Sequence, residues 1–200
     1  IIFGLLLSTI LISSKSIQAC RLERVTLWTN SVVPIEIDSK FTIAETNIII
    51  TALNEMMSLT NIVFKKHAKN SNEKYLLYTK ILSREEIGFK GGICPKFGVP
   101  SLSQMSVINF WSVRKSTVLH ETMHALGFNH EQCRADRDSF VDIKFLNILP
   151  NWLPNFTISF DGRDIGTYNI NSIMHYSFNS GAIISDQPTI ELKGSSNREF

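Results

Sequence analysis

His120-Glu121-Thr122-Met123-His124-Ala125-Leu126-Gly127-Phe128-Asn129-His130 decides how this chain is read. It contains His-x-x-x-His with Glu at the second position. On a helix, residues i and i+4 share one face, with Cβ atoms about 5–6 Å apart. Two imidazoles at that spacing can grip one zinc ion, with Glu121 beside the metal. Gly127 lets the helix end in a left-handed turn without steric penalty. The chain then doubles back to deliver His130 as a third nitrogen. Three protein ligands leave one zinc position open, the mark of a catalytic rather than a structural site.

Upstream of this stretch the sequence alternates strand and helix signals. Val25–Trp28 and Val32–Ile37 read as extended runs. Residues 42–59 read as a helix, with Thr42 as N-cap and Glu45 three residues on. Asn61–Phe64 and Tyr75–Tyr78 read as strands, with a polar loop over 65–74. Residues 88–98 are Gly-rich and irregular, and 101–110 read as one or two strands near a sheet edge. Ser116 or Thr117 opens the helix that runs to about Leu126. Beyond Gly127 the composition shifts to Asn, Asp, Gly and Pro, with a short helix expected over Ile143–Leu149 and ended by Pro150.

Two hundred residues suit one domain, with enough chain for two lobes, and 44% apolar content is ordinary for a globular protein. A net charge of +2, with no basic cluster interleaved with aromatics, gives no reason to expect nucleic acid or stable membrane association. The apolar run at residues 1–12 is shorter than the ~20 residues that span a bilayer. Followed by small and polar residues and by Ile17-Gln18-Ala19, it reads as an incomplete secretory signal over residues 1–19. A lipoprotein signal ending at Cys20 is the alternative. Either way the expected location is extracellular, and residues 20–200 form the functional domain.

The pattern H-E-x-x-H-x-x-G-x-x-H resembles that of metzincin metalloproteases. The longer run from His120 to Asp138 resembles the astacin family in particular. So does Ser172-Ile173-Met174-His175-Tyr176, which is similar to that family's Met-turn. Leu27-Trp28 and Val33-Pro34-Ile35 resemble the start of its catalytic domain. The resemblance implies an α+β, zincin-like fold: an upper lobe of twisted mixed sheet with two long helices, an irregular lower lobe, and an active-site cleft between. It implies a secreted endopeptidase with one Zn2+ per chain, cutting protein or peptide substrates bound as an extended strand along Met105–Ile108. A catalytically inactive binding protein on the same fold is the alternative.

By the same resemblance His120, His124 and His130 are zinc ligands, Glu121 is the general base, and Tyr176 is a further zinc ligand that moves to the developing oxyanion. Met174 is the hydrophobic floor beneath the histidines. Glu131 is buried and linked, through water, to the mature amino terminus. His175 is expected to be structural and His67 exposed. Arg134, Asp136, Arg137 and Asp138 are expected to form an ion-pair network.

Three features depart from the family. It usually has four cysteines in two disulfides. Here there are three, with Ser112 and Asn61 at two of the expected positions. A Cys20–Cys133 bridge is one expectation, and one or more free, buried cysteines the alternative. No propeptide separates the signal from the domain, so signal cleavage alone is expected to release the active terminus near Ala19–Arg21. The polar ending Lys193–Phe200 lacks the family's closing helix and cysteine, which reads as a truncation or as a tail foreign to the family. Asn155-Phe156-Thr157 is a glycosylation sequon.

Overall fold

The computed structural model describes residues 10–12, 15–17, 20–80, 92–94, 97–100 and 105–194. They form two compact units. One holds Ile1–Ser16 and Arg24–Phe128, the other Ile17–Glu23 and Asn129–Phe200.

The first unit carries β1 (Ile10–Ile12), β2 (Lys15–Ile17), β4 (Val32–Ile37), α1 (Ile43–Leu59), β5 (Val63–Lys66), β6 (Tyr75–Lys80), β7 (Gly92–Ile93), β8 (Met105–Phe110) and α2 (Lys115–Ala125). β1 and β2 pair as a two-stranded sheet, and the remaining strands form one sheet ordered β5-β4-β6-β8-β7. β4 runs parallel to β5 and β6, β6 is parallel to β8, and only β7 is antiparallel to its neighbour. Val33, Leu76, Tyr78, Ile108 and Phe110 are fully buried. Buried strand residues on this scale are what helix-covered parallel strands require.

α1 begins where the sequence places it. Thr42 accepts the Glu45 N–H at 3.2 Å through its hydroxyl, and the Thr42 N–H donates to Glu45 Oε2 at 2.9 Å. This capping box satisfies two amides that lack helical partners. Ile49, Ala52, Leu53 and Met56 form its buried stripe at helical spacing, and α1 packs against α2. α2 starts at Lys115, with Arg114 as an uncapped N-cap, instead of at Ser116 or Thr117. Seven of its eleven residues are buried. Thr122 Oγ bonds the Val118 carbonyl at 2.6 Å and the Tyr78 hydroxyl at 2.9 Å.

The second unit contains β3 (Cys20–Leu22), β10 (Val141–Ile143), β11 (Gly162–Asp164) and β12 (Ile190–Leu192), joined by 3-10 turns. β3 pairs with β11 and β10 with β12, both antiparallel. Its core is Val141, Ile148, Phe156, Tyr168 and Ile190. The irregularity expected past Gly127 is therefore present, on a mixed α+β architecture.

Several local expectations are corrected. Of the two extended runs Val32–Ile37 becomes a strand, whereas Val25–Trp28 joins no sheet: Trp28 is extended, at φ −66° and ψ 127°, and is tied by its indole N–H to the Ala125 carbonyl at 2.9 Å. No helix forms over Ile143–Leu149. Ile143 pairs with Ile190 in the β10–β12 ladder, and Phe145–Asn147 is a single 3-10 turn. The Asn147 amide bonds the Gln187 carbonyl at 3.0 Å and accepts the Ile184 N–H at 2.9 Å, drawing the chain across to a neighbouring loop. A 3-10 helix follows over Pro150–Phe156. The Cys20–Cys133 bridge is not formed: Cys20, Cys94 and Cys133 are all buried thiols. Burial pushes the Cys20 and Cys133 thiols up to about 12. His67, expected in an exposed loop, has a side chain only 8% exposed and stacks on Tyr75 with ring centroids 3.9 Å apart. The expected signal-cleavage step at residues 18–19, the tail beyond 194 and most of 88–98 lie outside the described residues.

Removing the Thr42 hydroxyl should cost about 1 kcal/mol, read as a lowered urea midpoint for Thr42→Ala. Lys80 and Thr42 hold the Glu45 carboxyl below its ordinary value of 4.5. A lowered folded-state value stabilises above the unfolded one and is lost as the pH falls through it. Glu45→Gln should therefore be less stable than the parent at pH 7, and the difference should shrink once the pH drops below about 4.5.

Candidate metal centre

α2 ends because Gly127 ends it. The Gly127 N–H bonds the His124 carbonyl at 2.9 Å, and its φ of +99° lies in the region that disfavours a side chain. A Cβ there would meet Val25 Cγ2 at 2.9 Å. Phe128 and Asn129 follow as a two-residue strand, β9. His130 is extended, at φ −66° and ψ 149°, and opens the 3-10 turn Glu131–Cys133. Its N–H is fixed by Asn129 Oδ1 at 2.8 Å.

His120, His124 and His130 each present one ring nitrogen, and these three nitrogens all lie within 4.8 Å of one another. The His120 and His124 Nε2 atoms are 3.1 Å apart. In tetrahedral coordination with bonds of 2.0–2.1 Å, adjacent nitrogens stand about 3.4 Å apart, so this pair is nearly at ligand spacing. His124 Nδ1 bonds the Phe128 carbonyl at 2.7 Å, leaving the Nε2 lone pair directed away from the backbone. Burial, with His120 adjacent, pulls the His124 imidazole down to about 3. A neutral ring is the form that coordinates metal. The donor set suits zinc.

Glu121 is 6% exposed. Burial pushes its carboxyl up to about 7, against a hydrogen bond from the Cys94 main chain. Phe97 packs edge-on against the His124 ring, with centroids 5.2 Å apart.

In the second unit, Met174 is fully buried, its N–H on Ser172 Oγ at 3.1 Å and its carbonyl accepting the Glu131 N–H at 2.9 Å. The Tyr176 ring lies 4.3 Å from that of His130, 5.6 Å from Phe156 and 5.9 Å from Trp152. The His175 ring turns to the Tyr168 hydroxyl at 2.7 Å and the Tyr176 carbonyl at 2.5 Å, a structural arrangement. Burial lowers its pKa.

Glu131 is fully buried. Its Oε1 accepts the Asn169 N–H at 2.8 Å and stands 3.5 Å from Arg134 Nη1, while Oε2 has no hydrogen-bond partner among the described residues. Burial raises the carboxyl to about 7. The expected ion-pair network is present. Arg134 grips Asp136 with two 2.8 Å bonds and the Ile165 and Gly166 carbonyls at 2.9 Å. Arg137 bonds Asp138 at 3.0 Å, the Gln132 carbonyl at 3.0 Å and the Phe156 carbonyl.

Four contributors escaped the sequence reading: Gln132, Trp152, Phe156 and the Cys94 main chain. Gln132 had a positional signal, two residues after His130, but nothing marked its side chain as buried.

A mixed sheet, a buried helix with paired histidines and a third histidine past a glycine turn define a zincin-type metallopeptidase domain. The model of the astacin peptidase family matches residues 21–199. The chain belongs to the astacin family. It is similar to High choriolytic enzyme 1 of Oryzias latipes, 33% identical over 146 residues that make up 72% of this chain and 50% of that protein. It is also similar to the Bone morphogenetic protein 1 homolog of Strongylocentrotus purpuratus, 30% identical over 76% of this chain and 24% of that protein. It thus spans half or less of either relative's length. The solved structure of the Oryzias latipes enzyme, a hatching enzyme zinc-protease, aligns with a TM-score of 0.68 at 25% identity, covering 88% of this chain and 84% of that one.

Gly127→Ala should lower the melting temperature both with and without a chelator, because the strain is in the turn and not in the metal. A cost of about 1–3 kcal/mol is expected, and differential scanning calorimetry would measure it. Equal melting of parent and variant would show that the turn tolerates a side chain.

Proposed function

We propose that this chain is the catalytic domain of a secreted endopeptidase that cuts peptide bonds in extracellular proteins, with one zinc ion held by His120, His124 and His130. The observation that carries the proposal is the convergence of three imidazole nitrogens within 4.8 Å, on the motif that defines the family. Bound zinc supplies Lewis acidity to a substrate carbonyl and makes water a competent nucleophile near neutral pH.

The protein's own side chains supply the rest. Glu121 accepts the proton of the attacking water at a carboxylate oxygen and passes it to the departing amine. Its burial beside the paired histidines suits a group that must exchange protons near neutral pH. Tyr176 would serve as a further ligand to the metal in the resting site, and with substrate bound its hydroxyl would donate to the oxyanion forming on the scissile carbonyl. Met174 is the apolar floor that keeps the His130 side of the site rigid: its carbonyl holds the Glu131 N–H, one residue beyond His130.

Substrate binds as an extended strand along β8. Among the described residues β7 pairs with β8 only at Phe110 and Asn109, and Met105 on that strand is 39% exposed. Secretion is supported by the apolar run at residues 1–12 and the Ile17-Gln18-Ala19 site that follows it. No helix among the described residues is long and apolar enough to cross a membrane.

Cleavage of a mixed set of quenched peptides is the test. A chelator should abolish it, and Glu121→Ala should lower kcat/KM by several orders of magnitude with zinc still bound. A folded, zinc-loaded protein that cuts none of the peptides would favour a non-catalytic, binding role.

A further inference from the structure

Gln132 follows His130 by two residues and is 0% exposed. Leaving an amide in a protein interior without partners costs several kcal/mol on the scale of transfer to an apolar phase, so a buried glutamine is retained where both its ends are used. Here both are. Nε2 donates to the Asn155 carbonyl at 3.1 Å, and Oε1 accepts the N–H of Tyr176 at 3.1 Å. The Gln132 main chain is pinned as well, its carbonyl accepting Arg137 Nη1 at 3.0 Å.

The Tyr176 ring is walled by Phe156 and Trp152. Trp152 is held in turn by Gly181, where a Cβ would come within 2.8 Å of the indole. The Tyr176 main chain is thus held at its N–H by the Gln132 side chain and at its carbonyl by the His175 ring. The same 3-10 turn that follows His130 therefore sets the pivot from which Tyr176 swings.

We infer that Gln132 is a positioning residue for Tyr176: its Oε1 fixes the Tyr176 backbone so that the phenol reaches the metal in one orientation and the oxyanion in the other. The inference rests on the role proposed for Tyr176. Gln132 touches neither substrate nor metal and acts through Tyr176 alone. Misplacing a catalytic group by about 1 Å can cost on the order of 100-fold in rate.

A double-mutant cycle tests this, with zinc content and circular dichroism measured for every variant. Tyr176→Phe should lower kcat by about 100-fold or more, as loss of an oxyanion donor does. Gln132→Met, which keeps length but loses the acceptor, should lower kcat by about 10- to 100-fold with KM changed less than about twofold. In the Tyr176→Phe background Gln132→Met should cost nothing further. Gln132→Glu, which keeps an acceptor for the Tyr176 N–H, should retain kcat within a few-fold of the parent. An equal cost of Gln132→Met in both backgrounds overturns the inference, because the side chain would then act on the site by another route. Unchanged kcat in Gln132→Met with Tyr176→Phe impaired overturns it alone and leaves the role of Tyr176 standing. Unchanged kcat in Tyr176→Phe removes the role of Tyr176, and the inference with it. Should Gln132→Met fail to fold, Gln132→Glu still decides: a folded, zinc-loaded variant as slow as Tyr176→Phe overturns the inference.

Discussion

The residue on which this site depends makes no bond to anything that reacts. Gly127, at φ +99° with Val25 pressed against its missing Cβ, is where the backbone leaves the helix. An alanine there would have to leave the left-handed region or push Val25 aside. Either shift propagates over only three residues before it reaches His130. The positions of His120 and His124 are a property of helical geometry and come at no cost. The position of His130 is a property of one turn and is only as good as that turn. A helix longer by one residue would carry the third imidazole round to another face.

Burial does the second part of the work. His124 is kept neutral because water is excluded around it and because His120 stands beside it, against the pull of the Phe128 carbonyl at its Nδ1, which favours the charged ring. Glu121 and Glu131 meet the same exclusion with the opposite consequence, since it is the charged carboxylate that an apolar setting penalises. Around Glu131 the penalty is offset first by the Asn169 N–H and then by Arg134, itself 1% exposed, whose guanidinium is engaged by Asp136 and two main-chain carbonyls. Such a group is costly to disturb from one side only, since removing a partner strands the other.

What was legible in the sequence was what repeats locally. The α1 capping box could be read because Thr42 and Glu45 are three residues apart and need nothing else. The histidine pair on α2 could be read because helical spacing places it. The strands of the parallel sheet were legible in outline, with edges off by a residue or two. The larger failures share a cause, partners distant in sequence. Ile143, Leu146 and Leu149 have helical spacing, yet β12 and the loop at 184–187 claim this segment through Ile190 and the Asn147 side chain. Gln132 could not be told from a surface glutamine, because its partners are Asn155 and Tyr176. The missing cysteine bridge is of the same kind: counting thiols says how many there are, whereas their pairing depends on where the chain puts them.

The pairing of β3 with β11 also bears on the order in which this protein can be made. Leu22 meets Gly162 across that ladder, a partner about 140 residues later in the chain. At a translation rate of roughly 5–20 residues per second, the early strand waits about 7–28 s for the late one to be synthesised. The first unit draws on a nearly continuous stretch and can consolidate during that interval. The amino-terminal segment gains its first sheet neighbour, β9, only when Phe128–Asn129 has been made and its second, β11, later still, and until then it carries a thiol that the finished fold hides. Chaperone binding or off-pathway pairing of this segment competes with the native sheet on one edge until β9 is made and on the other until β11 is made.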